Sequence, residues 1–207
     1  APLLAALASA ARRRISEFGM QQLSNTAWAF ATRLVLNLPL RDAIAASALS
    51  RLADADPQGL ANTAWSFAKL GVPDGPLLAS VAGAALSKIG DFGAQGLSIM
   101  AWSFATLELV HMPLLDAIAA ASLPRIPDFA AQNLTNPAWA FATIALCDEP
   151  LLKAISSASL LRIDDFDCQN LSNLAWSFAA LGWQDRELMA SLAASARRRL
   201  GDFAPQE

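Results

Sequence analysis

Tyrosine is absent from these 207 residues, histidine occurs once and cysteine only twice. Each scarcity removes a class of chemistry. A lone His111 cannot supply a histidine-based metal cluster. Cys147 and Cys168 are too few for a disulfide framework and have no metal-site spacing. No nucleophile elbow, phosphate loop or glycine-rich dinucleotide fingerprint occurs, and the acidic residues are spread singly rather than paired. A non-catalytic chain with no cofactor and no small-molecule substrate is therefore expected. Charge is also scarce: 16% of residues are charged, with 15 basic against 18 acidic, a formal −3. Nucleic-acid binders usually carry a basic excess, because neutralised phosphates supply most of their affinity. Long apolar runs are missing too, despite a mean hydropathy of +0.36. The uncharged stretch 129–147 contains Gln132, Asn133, Asn136 and Pro137. A membrane-crossing helix needs about 20 mainly apolar residues, so none is expected here.

What is present is a period. Five of the six tryptophans fall at Trp28, Trp65, Trp102, Trp139 and Trp176, each 37 residues after the last. Gln21, Gln58, Gln95, Gln132, Gln169 and Gln206 keep the same register. So do Phe30, Phe67, Phe104, Phe141 and Phe178, and a second column of Phe18, Phe92, Phe129, Phe166 and Phe203 in which Ala55 is the departure. Prolines recur at Pro2, Pro39, Pro76, Pro113 and Pro150, with Glu187 in the sixth slot. One fixed period shared by this many columns means a repeat array.

Each repeat reads as two helices. The first runs roughly from Gln21 to Leu34, with Leu23, Ala27, Trp28, Phe30, Ala31 and Leu34 on a wide apolar arc at helical spacing. The second begins near the repeating proline. Asp56 before Pro57 has the pattern of an N-cap, and Gly71 and Gly182 that of C-caps. A lone hairpin cannot bury both faces, so neighbours must stack. The expected fold is all-α: a single α-solenoid over 1–207, with an unpaired helix near 1–15 and hairpins near 20–52, 57–89, 94–126, 131–163 and 168–200. The arginine-rich start resembles a transit peptide. However, Leu3–Arg14 aligns with Leu188–Arg199 at five whole periods and so reads as a second helix. The array is expected to be a segment of a longer one.

The blocks QNLSNLAWSFAALG, QQLSNTAWAFATRL and QGLANTAWSFAKLG resemble the octotricopeptide and heptatricopeptide repeats often found with RAP domains. The resemblance covers the whole chain. It implies a right-handed α-solenoid in a mitochondrion or plastid. It also implies either selective binding of single-stranded RNA or service as a structural subunit of an organellar complex.

The residues allow both readings. On the apolar-arc assignment, the tryptophans Trp28, Trp65, Trp102, Trp139 and Trp176 belong to the core, and Trp183 beside them is also buried. The face opposite carries Asn25/Ala29/Thr32, Asn62/Ser66/Lys69, Ile99/Ser103/Thr106, Asn136/Ala140/Thr143 and Asn173/Ser177/Ala180, next to Gln22, Gly59, Gly96, Asn133 and Asn170. Small polar side chains that vary between constant repeats suit a reader of about one base per repeat. The RNA-contact candidates are Asn25, Asn62, Ser66, Lys69, Ser103, Thr106, Asn136, Thr143, Asn173 and Ser177. Ile99 and Met100 interrupt the pattern, and Pro137 should kink its helix. A basic column, Arg14, Arg51, Lys88, Arg125, Arg162 and Arg199, precedes an acidic one, Glu17, Asp54, Asp91, Asp128, Asp165 and Asp202. Each cation suits the C-terminal dipole of a second helix and can pair with the acid three residues on. The expected partner is single-stranded RNA, the alternative protein subunits gripped by a scaffold. Two Asn-Leu-Thr/Ser triplets, at Asn133 and Asn170, match a glycosylation pattern but lie inside expected helices.

Overall fold

The computed structural model describes residues 2–199. Among them are eleven α-helices and no strand. The second-type helices are α1 (Pro2–Arg13), α3 (Leu38–Leu49), α5 (Gly75–Ser87), α7 (Met112–Ser122), α9 (Glu149–Leu161) and α11 (Arg186–Arg198). The first-type helices are α2 (Met20–Thr32), α4 (Pro57–Lys69), α6 (Ala94–Thr106), α8 (Ala131–Thr143) and α10 (Cys168–Ala180). A short 3-10 turn joins each second helix to the next first helix. The last members of three columns, Asp202, Phe203 and Gln206, lie outside the described residues.

The repeat is cut to length by its caps. Asn37, Asp74, His111, Asp148 and Asp185 occupy one slot, and each side chain accepts a hydrogen bond from the backbone N–H three residues on, at 2.9–3.2 Å. His111 thus takes the place of an acid or amide, with Nδ1 as acceptor. Asp56 caps α4 through the N–H of Gly59 at 2.7 Å, and Asp167 caps α10 in the same way. First helices end about two residues before their apolar pattern does, and the second residue beyond each end, Leu34, Gly71, Glu108, Ala145 or Gly182, has positive φ. The residue after each donates its N–H to the phenylalanine carbonyl five back: Val35, Val72, Leu109, Leu146 and Trp183, at 2.8–3.0 Å. This is a Schellman turn, and only two of the five copies have the glycine it favours. Ala145→Gly, relieving φ of 54°, should therefore raise stability by about 1 kcal/mol, measured by urea unfolding.

Helices stack as repeats within two compact units, Ala1–Phe92 with His111–Ala117 and Gly93–Val110 with Ile118–Glu207. In the first, α2 lies against α4, and α3 against α1 and α5. In the second, α8 lies between α6 and α10, and α9 lies against α8 and α11. The layer between first and second helices is the core. Phe30, Phe67 and Phe92 are buried in the first unit, and Phe104, Phe129, Phe141, Phe166 and Phe178 in the second. Pro137 neither ends nor shortens its helix: α8 keeps the 13 residues of α4, α6 and α10. Its missing N–H leaves a ladder bond unmade inside a helix held on both sides by α6 and α10. Among the described residues no helix is long and apolar enough to cross a membrane.

Candidate functional site

The first helices are rotated relative to the expectation from their apolar arc. Ser66, Ser103 and Ser177 are 0% exposed, as is Ala140 in the same slot. Their hydroxyls donate inside the helix, to the carbonyls of Asn62, Ile99 and Asn173 at 2.6–2.7 Å. These three serines are therefore not surface residues and leave the set of RNA-contact candidates. The reason is size: first helices pack side by side, and small side chains at the contact let their backbones approach.

The tryptophans are likewise not core. Trp28 and Trp176 are 46% and 48% exposed, and Trp65, Trp102 and Trp139 are half-buried. In α4, α6, α8 and α10 each sits about 100° round the helix from the buried serine or alanine slot, and in α2 from Ala29, which is exposed. Bulk excludes an indole from that close contact, so the rings lie over it and pack on one another instead. Trp28 and Trp65 have centroids 6.3 Å apart, tilted by 32°. In the second unit, Trp102–Trp139 and Trp139–Trp176 repeat the arrangement at 6.4 Å and 6.5 Å, with tilts of 31° and 35°. Trp183 is half-buried rather than buried.

The solvent stripe of each first helix thus has the spacing i, i+4, i+7, i+11. In the first unit it reads Gln21, Asn25, Trp28, Thr32 and Gln58, Asn62, Trp65, Lys69. In the second it reads Gln95, Ile99, Trp102, Thr106, then Gln132, Asn136, Trp139, Thr143, then Gln169, Asn173, Trp176, Ala180. Asn25, Lys69 and Thr143 are exposed, and Asn62, Thr106, Asn136 and Asn173 are half-buried. The five exposed glutamines were missed as site residues, although a polar residue held constant through every repeat was the available signal. Asn133 is used structurally: its amide donates to Ser98 Oγ at 3.1 Å, tying α8 to α6.

The basic column has a different role from the one its spacing suggested. Arg14 pairs with the acid three residues on, Glu17, at 2.7 Å. Arg51, Lys88, Arg162 and Arg199 reach back one repeat instead, to backbone carbonyls around the preceding 3-10 turn. Arg51 bonds Ser16 O, and Lys88 bonds Ala53 O and Ala55 O. Arg162 bonds Pro127 O and Phe129 O, and Arg199 bonds Asp164 O and Phe166 O. Carbonyls left over at the turn attract a cation more strongly than an exposed acid does in water. Arg162→Met should cost about 2 kcal/mol by orphaning both carbonyls; a thermal melt unchanged from wild type would show that the clasp contributes nothing.

With the bases so committed, the face is neutral. The three helices α6, α8 and α10 contain no charged residue. Among the described residues no group of His, Cys, Asp and Glu could hold a metal ion.

A stacked-hairpin chain with this face matches the family model described as RNA-editing substrate-binding complex 6 protein, over residues 2–123 and again over 89–201. The chain belongs to the RNA-editing substrate-binding complex 6 protein family. Both matches lie within the repeat array, so in this family member the repeats themselves carry the likeness. No individually curated protein matches the chain.

Proposed function

We propose that the chain is a non-catalytic scaffold subunit of a mitochondrial RNA-editing substrate-binding complex, holding partner proteins on the first-helix face. The observation that carries this is the uncharged face formed by α6, α8 and α10, in a chain of the RNA-editing substrate-binding complex 6 family. A surface that binds RNA through its backbone needs cations to neutralise phosphates, and here the basic column is spent on carbonyls. The family's name supports the mitochondrial one of the two organelles that the octotricopeptide resemblance allows.

A second reading, direct contact with single-stranded RNA, is favoured by half-exposed indoles beside amides. Bases stack on aromatic rings, and amides can read base edges. Its remaining contacts are Asn25, Asn62, Lys69, Thr106, Asn136, Thr143 and Asn173.

The two are separated by sedimentation with and without ribonuclease, and by a salt titration with labelled single-stranded RNA. The scaffold reading expects co-sedimentation with a large complex that survives ribonuclease, and weak RNA binding with a shallow salt slope. Release by ribonuclease, with a steep slope in the titration, would put RNA contact first.

A further inference from the structure

We infer that the tryptophan face of α6, α8 and α10 holds the backbone of an extended, uncharged protein segment through its carboxamides, with apolar side chains of that segment laid on the indoles. The inference rests on the scaffold reading and names the partner chemistry.

Three observations on these helices carry it. The first is unused hydrogen-bonding capacity. Asn136 and Asn173 stand three residues before Trp139 and Trp176, and Gln95, Gln132 and Gln169 lie about one turn further back along the same stripe. The glutamines are exposed and the asparagines half-buried. None of these amides, and none of the indole N–H groups of Trp102, Trp139 and Trp176, makes a hydrogen bond among the described residues, whereas the Asn133 amide bonds Ser98. A docked helix has already spent most of its backbone groups internally. An extended segment has not: along one edge, every second residue presents both its N–H and its C=O. A carboxamide matches that pair, with an amino donor and a carbonyl acceptor.

The second is spacing. Successive indole centroids are 6.4 and 6.5 Å apart. An extended chain rises about 3.3 Å per residue, so residues that share a face and an edge recur about every 6.6 Å. A strand crossing the three helices therefore brings every second side chain to the next indole, and passes Asn136 with Trp139 and Asn173 with Trp176. In α6 the asparagine slot holds Ile99, so that end of the track is apolar.

The third is charge, and it selects a neutral occupant. None of the three helices carries a charged residue. Their rim favours neither sign. Asp128, Asp165 and Asp167 are exposed at the turns into α8 and α10, but Arg162, Arg198 and Arg199 reach the same two turns. Next to α10 in the hairpin, α11 adds exposed residues of both signs, Arg186, Glu187 and Arg197. A charged side chain laid on the floor loses water and meets no counter-charge there. An apolar one covers half-exposed indole surface and gains by it. A nucleic-acid strand is disfavoured on the same ground, since the floor holds no cation for a phosphate.

The test uses the whole chain and a short labelled peptide alternating valine and serine. Four further probes are the same peptide with arginine for valine, the same with glutamate for valine, an uncharged helix-forming peptide of leucine, alanine and glutamine, and an oligouridylate. Fluorescence anisotropy should show the valine peptide binding best, with an affinity that salt hardly changes. Asn136→Ala with Asn173→Ala leaves the indoles in place and should weaken that peptide about tenfold. Trp139→Ala removes the apolar platform instead and should weaken it by a similar factor; the asparagine pair is the independent check should the tryptophan variant misfold. Preference for either charged peptide, for the helical peptide or for oligouridylate overturns the inference. So does valine-peptide binding that neither the asparagine pair nor the tryptophan variant changes. If no peptide binds while the chain still co-sediments with a ribonuclease-resistant complex, the scaffold reading stands and only this partner chemistry falls. Loss of both removes the two together.

Discussion

Phe141→Ala is expected to destabilise the chain by about 3–5 kcal/mol, whereas Trp139→Ala, two residues away on the same helix, should cost nearer 1 kcal/mol. Phe141 is 0% exposed and lies in the layer where α8 meets α9. Its carbonyl also receives the N–H of Leu146 at 2.8 Å in the turn that ends the helix. Removing the ring leaves a cavity that stacked hairpins cannot close without shifting the turn, which is the costly form of a large-to-small change. Trp139 is half-buried among Trp102 and Trp176, so truncation uncovers surface rather than opening a void. Urea unfolding followed by circular dichroism measures both. Because stacked repeats couple mainly to their neighbours, the Phe141 variant should also broaden the transition. Equal costs for the two variants would return the tryptophans to the core.

The contrast shows where sequence reading succeeds and where it stops. The period, the hairpin and the caps were legible because each is a local rule written in residue type: Asp56 before Pro57, Gly71 after the helix, a proline opening five of the six second helices. The core phenylalanines were legible for the same reason. Helix rotation was not. An alanine-rich first helix has small apolar residues most of the way round, so its pattern does not fix which edge meets the next helix. The choice between Trp and Ser as the buried edge is then decided by fit against the next helix, and periodicity does not contain that information. The rule that large aromatics go inside gave the wrong answer because the contact between first helices admits only small side chains. The basic column failed differently. Its three-residue spacing to an acid was real, but the competing acceptors, Pro127 O and Phe129 O, lie a full repeat away in sequence and become neighbours only when hairpins stack.

Ser103→Asp provides the sharpest test of that rotation and is expected to abolish cooperative folding of its unit. On the apolar-arc reading position 103 faces solvent, and an aspartate there would change stability by less than about 0.5 kcal/mol. In the structure Ser103 is 0% exposed and its hydroxyl is spent on Ile99 O at 2.7 Å. Its own helix supplies no cation, so a carboxylate at this point would be buried without a counter-charge from α6. Burial of an unpaired charge is resolved by protonation or by opening the contact, at a cost of several kcal/mol either way. Two controls isolate the cause. Ser103→Ala should be close to neutral, because Ala140 fills the equivalent slot of the next repeat at 0% exposure. Thr143→Asp adds the same charge on the exposed stripe of α8 and should leave the melting temperature within a degree or two of wild type. A Ser103→Asp chain that melts with the Thr143→Asp control would mean that the serine column faces water, and the docking face would have to be redrawn around it.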